Sequence, residues 1–592
     1  MNSDKAKERF FKILFAVTAA LCIVAVIAIF AFLIIRSLPT FRRIGFFNFI
    51  FGKEWKPNVD DGFTGEIKGK YGVFKMIIGT IVATIGSVAV GGILGFFTAV
   101  FISKFCPRKL KGVLSTVINL LAGIPSVIFG FFGMTVLLPK LGAFSDTGSG
   151  SGLLAVSLVL GLMILPTVVS LSKTSIDAVP ESYYEGARAL GATHEEAVFR
   201  AVVPAAKSGI VASIILGVGR AVGETMAVIM VAGNVVEYPK GLFESFRVLT
   251  ANIVMEMGYA GDLQLGALIS TGVVLLIFIL IINLLTGLVA SGGKRDKTHK
   301  KRYIEPLSKF FKLIKIEKIG KVITYISSAI ASIGLLSIIL FVCVKGIPHL
   351  SSQLLFGKHS VRNISVFPSI VATLITVAIS LVIAIPIGVF TAVFLNEYAK
   401  KGSKIVRLIR SAIDILSGVP SIVYALFGMV TFVAWFGGKQ SILAGSLTIS
   451  IMLLPTVVRS TEESLKSVSD SLREGSLALG AGKVRTIFKV VLPSALPGIA
   501  SAVILAIGRV VSESAPFMYT MGNSLTVMPK SVLSDGTTLA VALYVLAGEG
   551  QYLNEAYATA FVLLVIVLAL NLLANLITKK LDKKLKGSKN GK

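Results

Sequence analysis

Of the 592 residues, 54% are hydrophobic and only 15% are charged, against about 25% charged in soluble domains, so a water-soluble globular protein is excluded. Basic residues outnumber acidic ones by 59 to 31, but they cluster between apolar blocks and near both ends, which marks the cytoplasmic side of a membrane protein rather than a nucleic-acid surface. Three cysteines and four scattered histidines (His194, His299, His349, His359) give neither a disulfide framework nor metal-ligand spacing, and no metal, cofactor or catalytic residue is expected.

Lys5, Lys7 and Arg9 precede an apolar run over 13–35 that is too long for a signal-peptide core, so it reads as a retained membrane anchor. Further apolar runs follow at 75–102, 114–138, 152–171, 209–233 and 265–290. Six more lie at 321–344, 368–395, 408–436, 441–459, 496–521 and 556–578. About 20 apolar residues suffice to cross a bilayer, so an all-α polytopic membrane protein of about 12 transmembrane helices is expected. The basic connections 103–112, 291–320 and 399–410 place both termini in the cytoplasm. The outer segment 36–74 conflicts with that pattern, since it carries Arg36, Arg42, Arg43, Lys53 and Lys56.

The halves repeat each other. Gly123-Ile124-Pro125-Ser126 returns as Gly418-Val419-Pro420-Ser421, and Leu165-Pro166-Thr167-Val168-Val169 as Leu454-Pro455-Thr456-Val457-Val458. From Pro166 to Glu224 the second copy follows at a constant offset of 289 residues. Six spans per copy give both the same orientation, as in parallel repeats. The expected division is a first repeat, 1–290, with a coupling loop at about 172–208. A basic cytoplasmic linker, 291–320, leads to a second repeat, 321–592, with a coupling loop at about 460–495. Pro125 and Pro420 interrupt the third spans, where a pathway role and a packing kink both fit.

Each coupling loop carries one pattern: Glu185-Gly186-Ala187, Gly191 and Pro204, then Glu474-Gly475-Ser476, Gly480 and Pro493. A short helix between Pro180 and Pro204, broken at Gly191, makes a compact lever joined directly to the fourth and fifth spans. The charges of the two loops are opposite. Glu181 to Arg200 holds four acidic and two basic residues, Asp470 to Lys489 two acidic and four basic. Their apolar positions are shared: Ala189 and Leu190 match Ala478 and Leu479, and Phe199 matches Phe488. No Gly-Lys pair is followed by Ser or Thr, so the chain has no phosphate-binding loop of the GxxxxGK[ST] type and its energy must come from another subunit.

The fifth spans hold Arg220 with Glu224, and Arg509 with Glu513. An Arg at bilayer depth costs roughly 3 kcal/mol on insertion scales and faces protein or water. Spacing of i, i+4 places each pair on one helix face, continued by Gly209, Ser213 and Gly217, or by Gly498, Ala502 and Ala506. Such a stripe lets helices approach or lines a cavity. Two guanidiniums suit an oxyanion, and a structural ion pair is the alternative.

The paired loops resemble the EAA---G---------I-LP loop of ABC importer permeases, with Gly186, Gly475, Ser476, Ala201 and Val490 as departures. The run from Glu185 to Gly233, with Gly-Arg-Ala-Val-Gly-Glu-Thr-Met at 219–226, resembles the first membrane subunit of the phosphate-specific ABC importer. The run from Glu474 to Gly522, with Ser512-Glu513-Ser514-Ala515-Pro516, resembles the second. The resemblance implies a fused permease of the type I importer fold, not itself an enzyme, in the inner (plasma) membrane. It implies an ATP-binding subunit, a homodimer, on the cytoplasmic face and a phosphate-binding protein outside. Identical grooves of a homodimer would have to accept two loops of opposite charge, so the shared apolar positions are expected to carry docking, and reversing Glu195 or Lys483 to matter little. The resemblance also implies transport roles for Arg220, Glu224, Arg509 and Glu513. Sulfate or molybdate permeases, an ion-coupled secondary transporter and a phosphate sensor are the alternatives.

Overall fold

The computed structural model describes residues 2–57, 69–146, 148–291, 316–360, 363–400, 403–526 and 528–587. Apart from its edges, the linker 291–320 lies outside the described residues. The protein is an all-α polytopic membrane protein. Among the described residues the one sheet is a two-stranded ribbon, Trp55–Lys56 against Lys70–Tyr71. Nine helices there are long and apolar enough to cross a membrane, or up to 11 if each of two bent pairs is one span.

The expected span 114–138 is not continuous. Helix Arg108–Ala122 stops, Pro125 is extended (φ −57°, ψ 138°), and a new helix starts at Ser126. The span 408–436 breaks likewise at Pro420, with a 99° bend between Val406–Gly418 and Ser421–Val433. Proline supplies no N–H to the preceding turn and pushes the residue before it out of the helical region. Each Gly-x-Pro-Ser run therefore ends one helix and starts the next.

Two compact units are present: one holds 1–43, 256–273 and 345–592, the other 44–255 and 274–344. The division does not follow the sequence repeats, because the leading helix of each repeat is packed into the unit that holds the core of the other. In the first unit, helix Asn2–Ile44 sets Phe15 5.2 Å from Phe390 and Phe32 5.6 Å from Phe427 (ring centroids). In the second, helix Ile316–Gly346 sets Tyr325 4.9 Å from Phe101 and Phe341 5.4 Å from Phe132.

The central pair of the second unit is Phe74–Val100 against Leu153–Asp177. Small residues let the backbones touch: a Cβ on Gly91 would overlap the Gly161 carbonyl, and one on Gly95 would lie 2.9 Å from Val168. In the first unit Phe367–Val393 packs on Ile442–Lys466, where a Cβ on Gly388 would lie 2.6 Å from Val457. A threonine in each second span caps a later helix. Leu249 N–H donates to Thr80 Oγ1 at 3.1 Å, and Leu539 N–H to Thr373 Oγ1 at 2.9 Å.

Candidate functional site

The charged pairs sit where helices break. The expected spans 209–233 and 496–521 stop at Gly223 and Ser512. Glu224 (φ −73°, ψ 135°) and Glu513 (φ −79°, ψ 143°) are already extended, and short helices Met226–Ile229 and Ala515–Thr520 follow. Arg220 and Arg509 therefore occupy the last turn of a helix, where free carbonyls favour a cation, and each Glu lies outside the helix rather than on its face. Broken helices at membrane depth are tolerated where they face protein or a water-filled cavity.

Each guanidinium reaches back to the helix beside it. Arg220 Nη1 donates to Thr167 Oγ1 at 3.0 Å, and Arg509 Nη1 to Thr456 Oγ1 at 3.2 Å. Arg509 Nε lies 3.9 Å from Glu513 Oε1. Glu224 Oε1 instead accepts from the Ala227 N–H at 3.3 Å, and its carbonyl accepts from Thr250 Oγ1 at 3.0 Å. The two threonines were not expected as site residues, although the repeated Leu-Pro-Thr-Val-Val run held the signal.

The small-residue stripe forms a helix seam, not a cavity wall. A Cβ on Gly209 would overlap Ser175 Oγ, and one on Gly217 would lie 3.2 Å from Val168. Between them the Ser213 and Ser172 hydroxyls are 2.6 Å apart and buried. In the second copy a Cβ on Gly498 would overlap Ser464. There Thr461 and Ala502 replace the two serines, and buried Thr461 Oγ1 has no hydrogen-bond partner.

The coupling loops are built alike. Helices Glu181–Ala189 and Asp470–Ala478 end in the same motif: Gly191 (φ 88°) and Gly480 (φ 81°) are left-handed, Ala192 N–H donates to Ala187 O at 3.1 Å, and Ala481 N–H to Ser476 O at 3.2 Å. This six-to-one closure needs a residue at positive φ, hence glycine. It leaves Leu190 and Leu479, just before the glycines, each 91% exposed. Glu185, Gly186, Glu474 and Gly475 are exposed with them, and a Cβ on either of these glycines would meet nothing in this chain.

Phe199 and Phe488 are placed differently. They are half-buried, with Phe199 6.1 Å from Phe105, and Phe488 5.0 Å from Phe11 and 6.3 Å from Phe15. Pro204 sits in the short helix Val203–Ala205, after which the chain bends by 69°, whereas Pro493 opens the continuous helix Leu492–Ser512.

Both loops are fastened to the end of a second span, with opposite polarity. In the first, Tyr184 Oη lies 2.8 Å from His194 Nδ1, and His194 Nε2 is 3.2 Å from the Lys104 carbonyl. A carbonyl only accepts, so in the neutral ring Nε2 carries the proton and the tyrosine donates to Nδ1. Lys104 also pairs with Glu181 at 3.6 Å. In the second, Glu397 pairs with Arg473 at 3.1 Å, and Lys483 Nζ stands 4.6 Å over the Tyr398 ring.

A duplicated helical membrane core whose spans break at charged pairs is the architecture of a transport protein. The chain belongs to the family of binding-protein-dependent transport system inner membrane components, matched over residues 91–292 and again over 384–587. It is 29% identical over 587 residues to the phosphate transport system permease protein PstA homolog of Mycoplasma pneumoniae, covering 85% of this chain and 86% of that one. It is 38% identical over 276 residues to a probable ABC transporter permease protein, YqgH, of Bacillus subtilis, covering 45% of this chain and 87% of the relative. With the phosphate transport system permease protein PstC of Haemophilus influenzae it shares 31% identity over 309 residues, 49% of this chain and 95% of the relative. About half of this chain thus accounts for nearly all of such a relative.

Proposed function

We propose that this protein is the permease of an ATP-driven importer of inorganic phosphate, two membrane subunits fused as repeats 1–290 and 321–592. The observation that carries the reading is the duplicated Thr–Arg–Glu constellation, Thr167 with Arg220 and Glu224, and Thr456 with Arg509 and Glu513, in a chain with relatives named as phosphate transport system permeases. A hydroxyl holds each guanidinium in a fixed orientation while leaving it further donors, which suits a tetrahedral oxyanion. Each adjacent carboxylate tempers the field and offers an acceptor for the proton of hydrogen phosphate. The chain acts as a permease and does no covalent chemistry.

Energy enters through the two loops. Leu190 and Leu479 with Glu185, Gly186, Gly191, Glu474, Gly475 and Gly480 form the faces that dock on an ATP-binding homodimer in the cytoplasm. Phe199, Pro204, Phe488 and Pro493 join those faces to the membrane helices. A phosphate-binding protein delivers substrate on the opposite side, and both termini are cytoplasmic. An ion-coupled secondary transporter has nothing to dock on two such loops. The test is reconstitution with the ATP-binding and phosphate-binding proteins. Phosphate-stimulated ATP hydrolysis with uptake is the expected result. Stimulation by sulfate or molybdate alone would reassign the substrate, and uptake without ATP would overturn the class.

A further inference from the structure

The outer segment 36–74 is left unexplained by the charge pattern, and part of it has a twin in the other repeat. Short helix Phe46–Phe51 is tied to the start of the span Phe74–Phe105. Val73 N–H donates to Phe49 O at 2.9 Å, Phe74 N–H donates to Gly52 O at 3.1 Å, and the Phe51 ring lies 6.0 Å from Phe74. Short helix Ser352–Phe356 is tied in the same way to the span Phe367–Tyr398. Val366 N–H donates to Leu354 O at 2.9 Å, and the Phe356 ring lies 6.2 Å from Phe367. Phe49 and Leu354 are buried plugs, whereas Phe51 and Phe356 are 58% and 71% exposed. Each exposed ring opens the same tripeptide, Phe51-Gly52-Lys53 and Phe356-Gly357-Lys358, and both lysines are exposed.

Length sets the depth of these hooks. Each of the two spans has 32 residues, about 48 Å of helix. The hydrocarbon core is about 30 Å thick, and about 40–45 Å with the headgroups. Centred in the bilayer, such a span puts its first residues, Phe74 and Phe367, about 24 Å from the midplane, at the outer edge of the headgroup layer, and the exposed rings packed beside them lie at that level. Aromatic rings with neighbouring cations are what the interface selects, and cations there are drawn to anionic lipid. The local charge stays positive. Lys70 bonds Glu54 at 3.0 Å, holding that carboxyl below its usual range, while Lys53 and Lys56 are exposed beside it.

We propose that Phe51 with Lys53, and Phe356 with Lys358, are twin anchors that dock on an anionic lipid surface and fix the depth of the second span of each repeat. The anchoring is independent of what is transported. A soluble protein partner on the same faces is the competing occupant.

The test uses the full chain in vesicles of phosphatidylcholine and phosphatidylglycerol. The two tryptophans are removed as Trp55→Phe and Trp435→Phe, and one is introduced as Phe51→Trp or Phe356→Trp. Lipids brominated near the glycerol should quench either reporter more than lipids brominated at the chain end, with little quenching by acrylamide in the water. Bromination of the phosphatidylglycerol alone should also quench, and Lys53→Gln or Lys358→Gln should weaken that component at its own site. Quenching by acrylamide but by no brominated lipid would overturn the anchor and favour a protein partner. Quenching by brominated phosphatidylglycerol that ignores the lysines would overturn its anionic specificity. Should loss of the buried Trp55 prevent folding, a nitroxide on Phe51→Cys or Phe356→Cys, in a chain with Cys22, Cys106 and Cys343 replaced, reads the same depth. Collision with oxygen supports the anchor, and collision only with a water-soluble nickel chelate overturns it.

Discussion

Glu195, in the first coupling loop, is ion-paired at 3.1 Å with Lys321, in the leading helix of the other repeat. The acidic character of that loop is thus answered within the chain, by Lys321 and by Lys104 on Glu181. The basic second loop is answered by Glu397 on Arg473 and by the Tyr398 ring under Lys483. Opposite loop charges therefore do not require two different ATP-binding subunits.

Reversing Glu195 to Lys should destabilise the protein by no more than about 1 kcal/mol, because the pair is partly exposed. The exchange Glu195→Lys with Lys321→Glu should restore it. A double-mutant cycle on thermal unfolding in detergent checks this, and a coupling energy of zero would remove the brace.

Leu190→Ser and Leu479→Ser should leave the melting temperature unchanged, since both side chains are exposed, and should abolish co-purification of the ATP-binding subunit. Phe199→Ala and Phe488→Ala should instead lower stability by about 2 kcal/mol, less than a fully buried Phe loses, and should uncouple ATP hydrolysis from uptake. Co-purification and melting, measured on all four variants, separate docking from transmission.

Gly191→Ala and Gly480→Ala force an L-residue into the left-handed region at about 1–2 kcal/mol each. Protease sensitivity of the loops should rise in both. Unchanged cleavage in either would argue against the closure described.

Arg220→Ala and Arg509→Ala should abolish uptake while preserving insertion and subunit binding. Arg→Lys at either position should not rescue, because an ammonium lacks the planar fork. Normal phosphate uptake by a properly inserted alanine variant would refute the assignment.

The helix seams differ between the copies, and stability should report it. Ser172→Ala removes one side of a buried hydroxyl pair and should cost about 1 kcal/mol. Thr461→Val removes a hydroxyl that bonds to nothing and should be neutral or stabilising. Paired unfolding measurements on the two variants test the asymmetry.

Much of this was legible before any coordinates. Composition declared the solvent, since a chain with so few charges and such long apolar runs has no other place to bury them. The offset of 289 residues declared the duplication, and Gly191 marked the break in the first loop helix; that Gly191 and Gly480 are left-handed came from the structure. Spacing located Arg220 and Arg509 without saying where their helices stop. The i, i+4 rule presumes a helix continuing past Glu224 and Glu513, whereas both residues are already extended; at Glu224, Thr250 and the Ala227 N–H supply partners from outside the helical hydrogen-bond ladder.

Sequence by itself determined the class and the repeat and located the charges and glycines at which the helices end, because each depends on local chemistry: apolar length, a charge in an apolar run, a glycine at a turn. Tertiary structure alone decided which of those residues meet. That Phe488 packs on Phe11, that Lys321 reaches Glu195 and that each Arg finds a Thr on the neighbouring helix follow from how helices distant in the chain pack together. No periodicity within a single helix encodes that choice; it is made by the summed burial of apolar faces and the close approach of small residues between helices.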